Sequence, residues 1–293
     1  ALLPVNDSDI AIAELAVRYP DCYVMVDVPR PTSITTMNIS SVLVENGTTE
    51  DIPILDSSHV VAILQTSGSS GESQPHEKTW GAMVAGVDRW RNRLAINALH
   101  YIVTTVPRQH MYGFETSVLL PLQVGTAFFA GCPFYPADVA AALRLGTSQA
   151  MLITTPFHLR ICGQSDLDWS SLRSVVSSTG NLDPRIAGIC ETRMHTSVME
   201  IFGSTETGAI ASRRPSAEKF WLCLDGLQLD THGGVTSIRD TVTGGSTPIT
   251  DEIQVIDGKT FELCGRPADM LKVAGKTGSV ADLNLRLNRI VGV

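Results

Sequence analysis

Val60-Val61-Ala62-Ile63-Leu64-Gln65 runs directly into Thr66-Ser67-Gly68-Ser69-Ser70-Gly71. A short β-branched, apolar run of this kind reads as a buried strand. The glycine and hydroxyl residues behind it read as a loop, because glycine reaches positive φ at no steric cost. The amphipathic segment Lys78–Ala98 then reads as a helix. Working outward, the same alternation continues to Phe202. Apolar runs at 101–106, 126–130, 150–154, 172–177 and 197–202 are separated by helix-like segments at 114–122, 137–145 and 184–191. Asp183-Pro184 supplies an N-cap followed by proline at the first helical position. The expected fold class is therefore α/β, with mostly parallel sheets covered by helices.

After Arg214 the pattern changes. Short runs at 219–224, 227–230, 235–239, 252–256 and 260–263 alternate with Asp225-Gly226, Gly233-Gly234 and Asp257-Gly258. These are hairpin signals, so a small antiparallel, β-barrel-like subdomain is expected here. The expected division is 1–213 as an α/β core, 214–267 as the β-rich subdomain, and 268–293 as a hinge and the start of a C-terminal domain that is otherwise missing. Residues 9–18 read as helical, and 32–54 could hold edge strands.

Composition narrows the function. The chain has 293 residues, 43% of them hydrophobic, and 22 Lys+Arg against 30 Asp+Glu for a net charge of −8. An acidic chain is poorly suited to neutralising phosphates along a nucleic acid. No uncharged apolar run reaches the ~18 residues a spanning helix needs. Six cysteines lie far apart with no C-x-x-C pair, which suits buried thiols in a reducing, cytoplasmic setting.

Two segments carry chemistry. Consecutive N–H groups of Thr66–Gly71 can point at one anion, and the Ser and Thr hydroxyls add donors. The spacing matches neither a Walker loop nor G-x-G-x-x-G, and the loop alone serves equally well as an ordinary connection. In Phe202-Gly203-Ser204-Thr205-Glu206-Thr207-Gly208, Thr205 could donate to a phosphate and Glu206 could hold Mg²⁺, which takes carboxylate plus phosphate oxygens. Phe202 offers a flat face to a base. Alone, a Glu in a glycine-flanked turn is more often only solvated.

Taken together, these segments resemble the adenylate-forming superfamily: acyl- and aryl-CoA synthetases, luciferases and peptide-synthetase adenylation domains. Thr66–Gly71 is similar to that family's phosphate signature, and Phe202–Gly208 to its aromatic-Gly-Ser-Thr-Glu motif. Ser178-Thr179-Gly180-Asn181-Leu182 is similar to its small-residue segment beside the acyl and adenine pockets. Thr250-Asp251 and Gly265-Arg266, flanking a hairpin, are similar to its ribose-binding Asp and Arg. The resemblance implies ATP-dependent activation of a small carboxylic acid as acyl-adenylate. Transfer to CoA or an acyl carrier protein would follow. ATP and Mg²⁺ are the implied cofactors, with no nucleic-acid or membrane partner. By the same resemblance, Thr66, Ser67, Gly68, Ser69, Ser70 and Gly71 cradle the phosphates, and Thr205 touches the α-phosphate. Glu206 binds the metal, Gly180, Phe202, Gly203 and Ser204 line the nucleotide site, and Asp251 and Arg266 hold the ribose.

The pattern also departs from the family. Gly71 is followed by Glu72-Ser73-Gln74-Pro75-His76-Glu77-Lys78, so the family's Pro-Lys is displaced. Lys78 could reach a phosphate from the start of a helix, or lie solvated on the surface. The hinge position two after Arg266 is Ala268. The resemblance implies a further C-terminal domain of roughly a hundred residues with a catalytic lysine, which neither Lys272 nor Lys276 matches. The expectation is thus of the large N-terminal domain, impaired as a ligase. A weakly active nucleotide-binding module and an unrelated phosphate-binding α/β enzyme are the alternatives.

His110-Met111-Tyr112-Gly113-Phe114 falls where the family places its acyl pocket. His110 could orient a carboxylate or ring hydroxyl, or be a core or capping histidine. Flat aromatic walls favour an aryl or unsaturated acid, and the segment loosely resembles the short bacterial ligases that load hydroxybenzoate-type acids for aryl polyene pigments. Arg108 and Arg160 could attract the carboxylate or sit at the surface.

Overall fold

The computed structural model describes residues 17–20, 24–26, 35–38, 54–66, 74–108, 110–146, 149–265, 270–273 and 276–279. The chain divides into two units, Ala1–Leu55 and Asp56–Val293. In the first, β1 (Val24–Val26) pairs in parallel with β2 (Thr36–Asn38). Most of the expected helix at 9–18 and the edge strands at 32–54 lie outside the described residues.

The second unit opens with β3 (Val60–Thr66) and β4 (Gln74–Thr79), an antiparallel pair in which Thr66 lies opposite Gln74. This differs from the expected strand–loop–helix order. Residues 74–79 are a strand because β3 satisfies their backbone groups, a pairing that local periodicity does not report. Helix α1 (Trp80–Leu94) follows directly. The Thr79 hydroxyl caps it by accepting from Ala82 N at 3.3 Å.

The chain continues with β5 (Tyr101–Thr104), α2 (Met111–Phe114), a π-turn (Glu115–Leu119) and α3 (Leu120–Val124). Next come β6 (Ala127–Phe128), α4 (Pro136–Arg144), β7 (Ala150–Thr154), α5 (Pro156–Gln164), β8 (Leu172–Ser177), α6 (Pro184–Met194) and β9 (Ser197–Ser204). Helix α5 has no counterpart in the sequence reading. Its signal is Thr155-Pro156, an N-cap with proline at the first position, where Thr155 accepts from His158 N. Then come β10 (Gly208–Arg213), β11 (Trp221–Cys223), β12 (Leu227–His232), β13 (Val235–Asp240), β14 (Ser246–Pro248), β15 (Glu252–Val255), β16 (Thr260–Gly265), β17 (Met270–Val273) and β18 (Lys276–Ser279).

One nine-stranded sheet organises the unit, in the order β15-β16-β11-β10-β9-β8-β7-β5-β6. From β9 to β6 every pairing is parallel. From β9 to β15 every pairing is antiparallel. The α/β reading is borne out, and so is a smaller antiparallel sheet, formed by β12, β13 and β14. Of the strands after Arg214, β11, β15 and β16 join the large sheet through β10, β12 to β14 form the smaller one, and β17 and β18 pair with each other. Strand β10 was not marked in the sequence, because Gly-Ala-Ile-Ala-Ser-Arg shows little alternation.

Burial follows the strand period of two. On β7, Met151 and Ile153 enter a core with Val87, Trp90, Phe202 and Trp221. Ala150 and Leu152 enter the other, with Leu143, Leu159 and Val198. Both faces of the parallel half are therefore covered, and a ligand is left the carboxyl ends of its strands, as is usual in open α/β sheets.

Candidate functional site

The carboxyl end of β9 carries the turn Thr205–Thr207. Ser204 and Thr207 tie its base: Ser204 N donates to Thr207 Oγ1 at 3.1 Å, Thr207 N donates to Ser204 Oγ at 3.3 Å, and Thr207 Oγ1 donates to Gly208 O at 2.9 Å. The chain then reverses into β10. Two glycines permit this. A Cβ on Gly203 would lie 2.2 Å from Gly208 O, and Gly208 has φ +69°. Gly203 and Gly208 are thus required by strand contact, whatever the site binds.

Glu206 is the exposed residue of the turn, with Thr205 half-buried beside it. Partial desolvation pushes the Glu206 carboxyl up. The Ser204 hydrogen bond, its own N–H and the charges of His76 and Lys78 outweigh that, and the group is held below the usual range. It is therefore an ionised oxygen donor at neutral pH. His76 Nε2 lies 3.5 Å from Glu206 Oε1 and is buried without a hydrogen-bond partner.

Lys78 is neither solvated nor at a helix start. It sits on β4, is 7% exposed, and donates from Nζ to the backbone carbonyl of Glu206 at 2.7 Å. Burial lowers its ammonium pKa, while Glu115 and Glu206 oppose the shift. Glu115, the first residue of the π-turn, is 4% exposed. Its Oε2 accepts from Trp90 Nε1 at 3.1 Å, and the carboxylate also takes the Ala209 N–H. Desolvation raises its pKa to about 7 against those bonds and Lys78. The sequence reading missed Glu115 entirely. Its one signal was a lone acid within the apolar stretch 111–122.

Beside the turn, Ser178–Leu182 leaves the end of β8. Ser178 Oγ donates to Ile201 O at 2.9 Å, Thr179 takes a left-handed φ of 76°, and Leu182 N donates to Glu200 Oε1 at 2.8 Å. Gly180 lies in this loop. A groove runs between Phe202, Gly203, Ser204, Glu206 and Thr207 on one wall and Pro248, Ile249, Thr250 and Asp251 on the other, with Ile210 also lining it. Residues near 202–208 and near 251 thus meet at one groove. Phe202 reaches the groove with only 8% of its surface exposed, and its ring packs 5.6 Å from Trp221 and 5.5 Å from Phe261.

Other expected residues stand apart. Thr66 ends β3, while Ser67, Gly68, Ser69, Ser70, Gly71 and Arg266 lie outside the described residues, as do Ala268 and Asp269. His110 is exposed at the N-cap of α2 and makes no side-chain cap bond, so it is neither core nor cap. Tyr112 turns away from any pocket: its hydroxyl donates to Val176 O at 2.9 Å and its ring stacks 6.0 Å from Trp90. Arg108 is spent on the carbonyls of Phe129, Ala130 and Gly131.

Among the described residues, no three His, Cys, Asp or Glu side chains are grouped to hold a metal ion. A single ionised carboxylate facing a groove is nonetheless the donor set Mg²⁺ uses when phosphates supply the rest, so Glu206 fits that ion. Among the described residues, no helix is long and apolar enough to cross a membrane.

Comparison with known proteins gives the same outline. The family model described as AMP-binding enzyme matches residues 5–264. A 4-coumarate–CoA ligase from Halorhodospira halophila is 25% identical over 229 residues, covering 76% of this chain and 55% of the relative. One from Cereibacter sphaeroides is 28% identical over 198 residues, covering 64% and 44%. The chain spans about half the length of the relatives it matches. Among solved structures, ATP-bound MatB from Rhodopseudomonas palustris superposes with a TM-score of 0.80 at 14% identity, covering 99% of this chain and 68% of that one. The O-succinylbenzoate CoA synthetase MenE from Bacillus subtilis, in complex with AMP, gives 0.79 at 13%, covering 98% and 67%.

Proposed function

The chain belongs to the AMP-binding enzyme family, and on that premise we propose that it activates a small carboxylic acid with ATP for transfer to a CoA or carrier-protein thiol. In the first step a carboxylate oxygen of the acid attacks the α-phosphorus in line. The bond to the bridging oxygen breaks, pyrophosphate leaves, and an acyl-adenylate forms. In the second, the thiol sulfur attacks the acyl carbon and AMP leaves. Catalysis of the first step rests on positioning and charge stabilisation.

The roles are as follows in this reading. Thr205 donates its hydroxyl to the α-phosphate. Glu206 holds Mg²⁺, which when bound neutralises phosphate charge. Gly180, Phe202, Gly203 and Ser204 line the base and sugar, Asp251 accepts from the ribose hydroxyls with Arg266 beside it, and 66–71 cradle the outer phosphates. His110, exposed at the start of α2, orients the acid. The acid is aryl in character; the relatives' name specifies an aromatic acid, 4-coumarate. Residues 1–213 serve as the nucleotide and acyl core, 214–267 as the β-rich part, and 268–293 as a hinge. The setting is cytoplasmic, which suits the free, buried Cys162, Cys190 and Cys223.

The observation that carries this reading is the groove itself. It joins an ionised Glu206, next to Thr205, with Asp251, from segments far apart in the chain. Incubating the protein with MgATP and a panel of aryl and aliphatic acids, then measuring acyl-AMP by mass spectrometry, tests it. Acyl-AMP with at least one acid is expected. ATP binding with no adenylate from any acid would make the chain a nucleotide-binding module.

A further inference from the structure

Two buried ionisable side chains, Lys78 and Glu115, meet the Thr205–Thr207 turn and the start of β10 behind it. Lys78 takes the carbonyl of Glu206 at 2.7 Å. Glu115 takes the N–H of Ala209, just past the turn, and anchors itself on Trp90 of α1 at 3.1 Å. Both are almost wholly buried. Burying an ammonium and a carboxyl is costly unless each is well hydrogen-bonded. Here Lys78 bonds the turn at Glu206, and Glu115 bonds the start of β10 directly behind it. Glu115 also opens a π-turn, a widening that interrupts an otherwise continuous helix and recurs at functional sites. Gly208 is shaped to the same contact, since a Cβ there would come 2.8 Å from Glu115 Oε1.

We propose that Lys78 and Glu115 are positioning residues that clamp the turn, Lys78 at Glu206 and Glu115 where the chain leaves into β10, so that the Glu206 carboxylate faces the groove in the orientation that MgATP requires. Neither residue touches the nucleotide. Lys78, displaced from the usual place for a phosphate-loop lysine, acts on the phosphates only through Glu206. This rests on the nucleotide reading above, and the test separates the two.

ATP affinity is measured by calorimetry on the 293-residue chain, with excess MgCl₂ and with EDTA, for wild type, Lys78→Met and Glu115→Gln. Met keeps the bulk of the lysine stem. Gln keeps the shape of Glu but turns one acceptor into a donor facing an N–H. The ratio of the two affinities reads the Mg²⁺ contribution. Partners that orient a metal ligand are worth about 10–100-fold in metal affinity. The ratio is therefore expected to fall by about 10-fold or more in each folded variant, while metal-free ATP binding changes little. A purely structural role would weaken both affinities equally or neither, and that outcome overturns the clamp while leaving the nucleotide site intact. If Lys78→Met does not fold, Glu115→Gln decides by the same ratio. A wild type whose ATP binding does not respond to Mg²⁺ overturns the clamp and the ligase reading together.

Discussion

Arg213 and Glu200 are cross-strand partners on β10 and β9, and their side chains close to 2.8 Å with the Glu200 side chain only 1% exposed. The other oxygen of Glu200 accepts from Leu182 N, and the Arg213 guanidinium lies 4.5 Å from the Trp221 ring centre. One ion pair thus joins the sheet to the loop that carries Gly180. Arg213→Met leaves a buried carboxylate without its cation, so stability should fall by about 3–5 kcal/mol. Urea denaturation measures it; a loss under about 1 kcal/mol would show the pair to be solvated.

Glu115 gives the fold a pH dependence. Desolvation raises its pKa to about 7 from 4.5, against the Trp90 and Ala209 hydrogen bonds and the Lys78 charge. Between those values the folded chain holds a proton that the unfolded chain has released. Its contribution is therefore fully present below about pH 4.5 and is lost as pH rises through about 7. The linkage amounts to at most about 3 kcal/mol. Relative to Glu115→Gln, wild-type stability should decline from pH 4.5 to pH 7.5. Parallel curves for the two proteins would contradict the shift.

Glu206 is exposed and makes its contacts within or beside its own turn, so Glu206→Gln should leave the melting temperature within a few degrees of wild type. It removes the ionised oxygen proposed to hold Mg²⁺, and adenylate formation should drop by about 10²–10³-fold, the scale of losing one charge-stabilising group. Unchanged turnover would remove Glu206 from the mechanism.

Gly203→Ala tests the opposite kind of conservative change. Its Cβ would meet Gly208 O at 2.2 Å and Ala209 Cα at 2.9 Å. Both are backbone atoms that cannot rotate away. Overpacking should cost about 1–3 kcal/mol without any ligand present, read as a lower urea midpoint. Wild-type stability with impaired ATP binding would instead make Gly203 a ligand contact.

Much of this architecture was legible because it is local. The apolar runs at 150–154 and 172–177 coincide with β7 and β8, and Asp183-Pro184 starts α6 as its chemistry demands. Thr205 and Glu206 were legible as candidates because a hydroxyl and a carboxylate stand in a glycine-bounded turn, and Asp251 only through the family resemblance. Strand β4 was not legible. Gln-Pro-His-Glu-Lys-Thr carries no apolar alternation, and only its pairing with β3 makes it a strand.

The sequence by itself determined the class of fold, the order of the motifs and the kind of ligand they suit, since residue periodicity and side-chain chemistry are properties of short segments. Tertiary structure alone decided which distant groups meet. It joined β11, β15 and β16 to the main sheet through β10. It buried Lys78, and brought its ammonium to a carbonyl 128 residues away. It set Glu115 against Trp90 and the start of β10. Those contacts join the β3–β4 pair, the π-turn and the β9–β10 turn, which are far apart in the chain, and the cost of burying charge is met only once they are assembled.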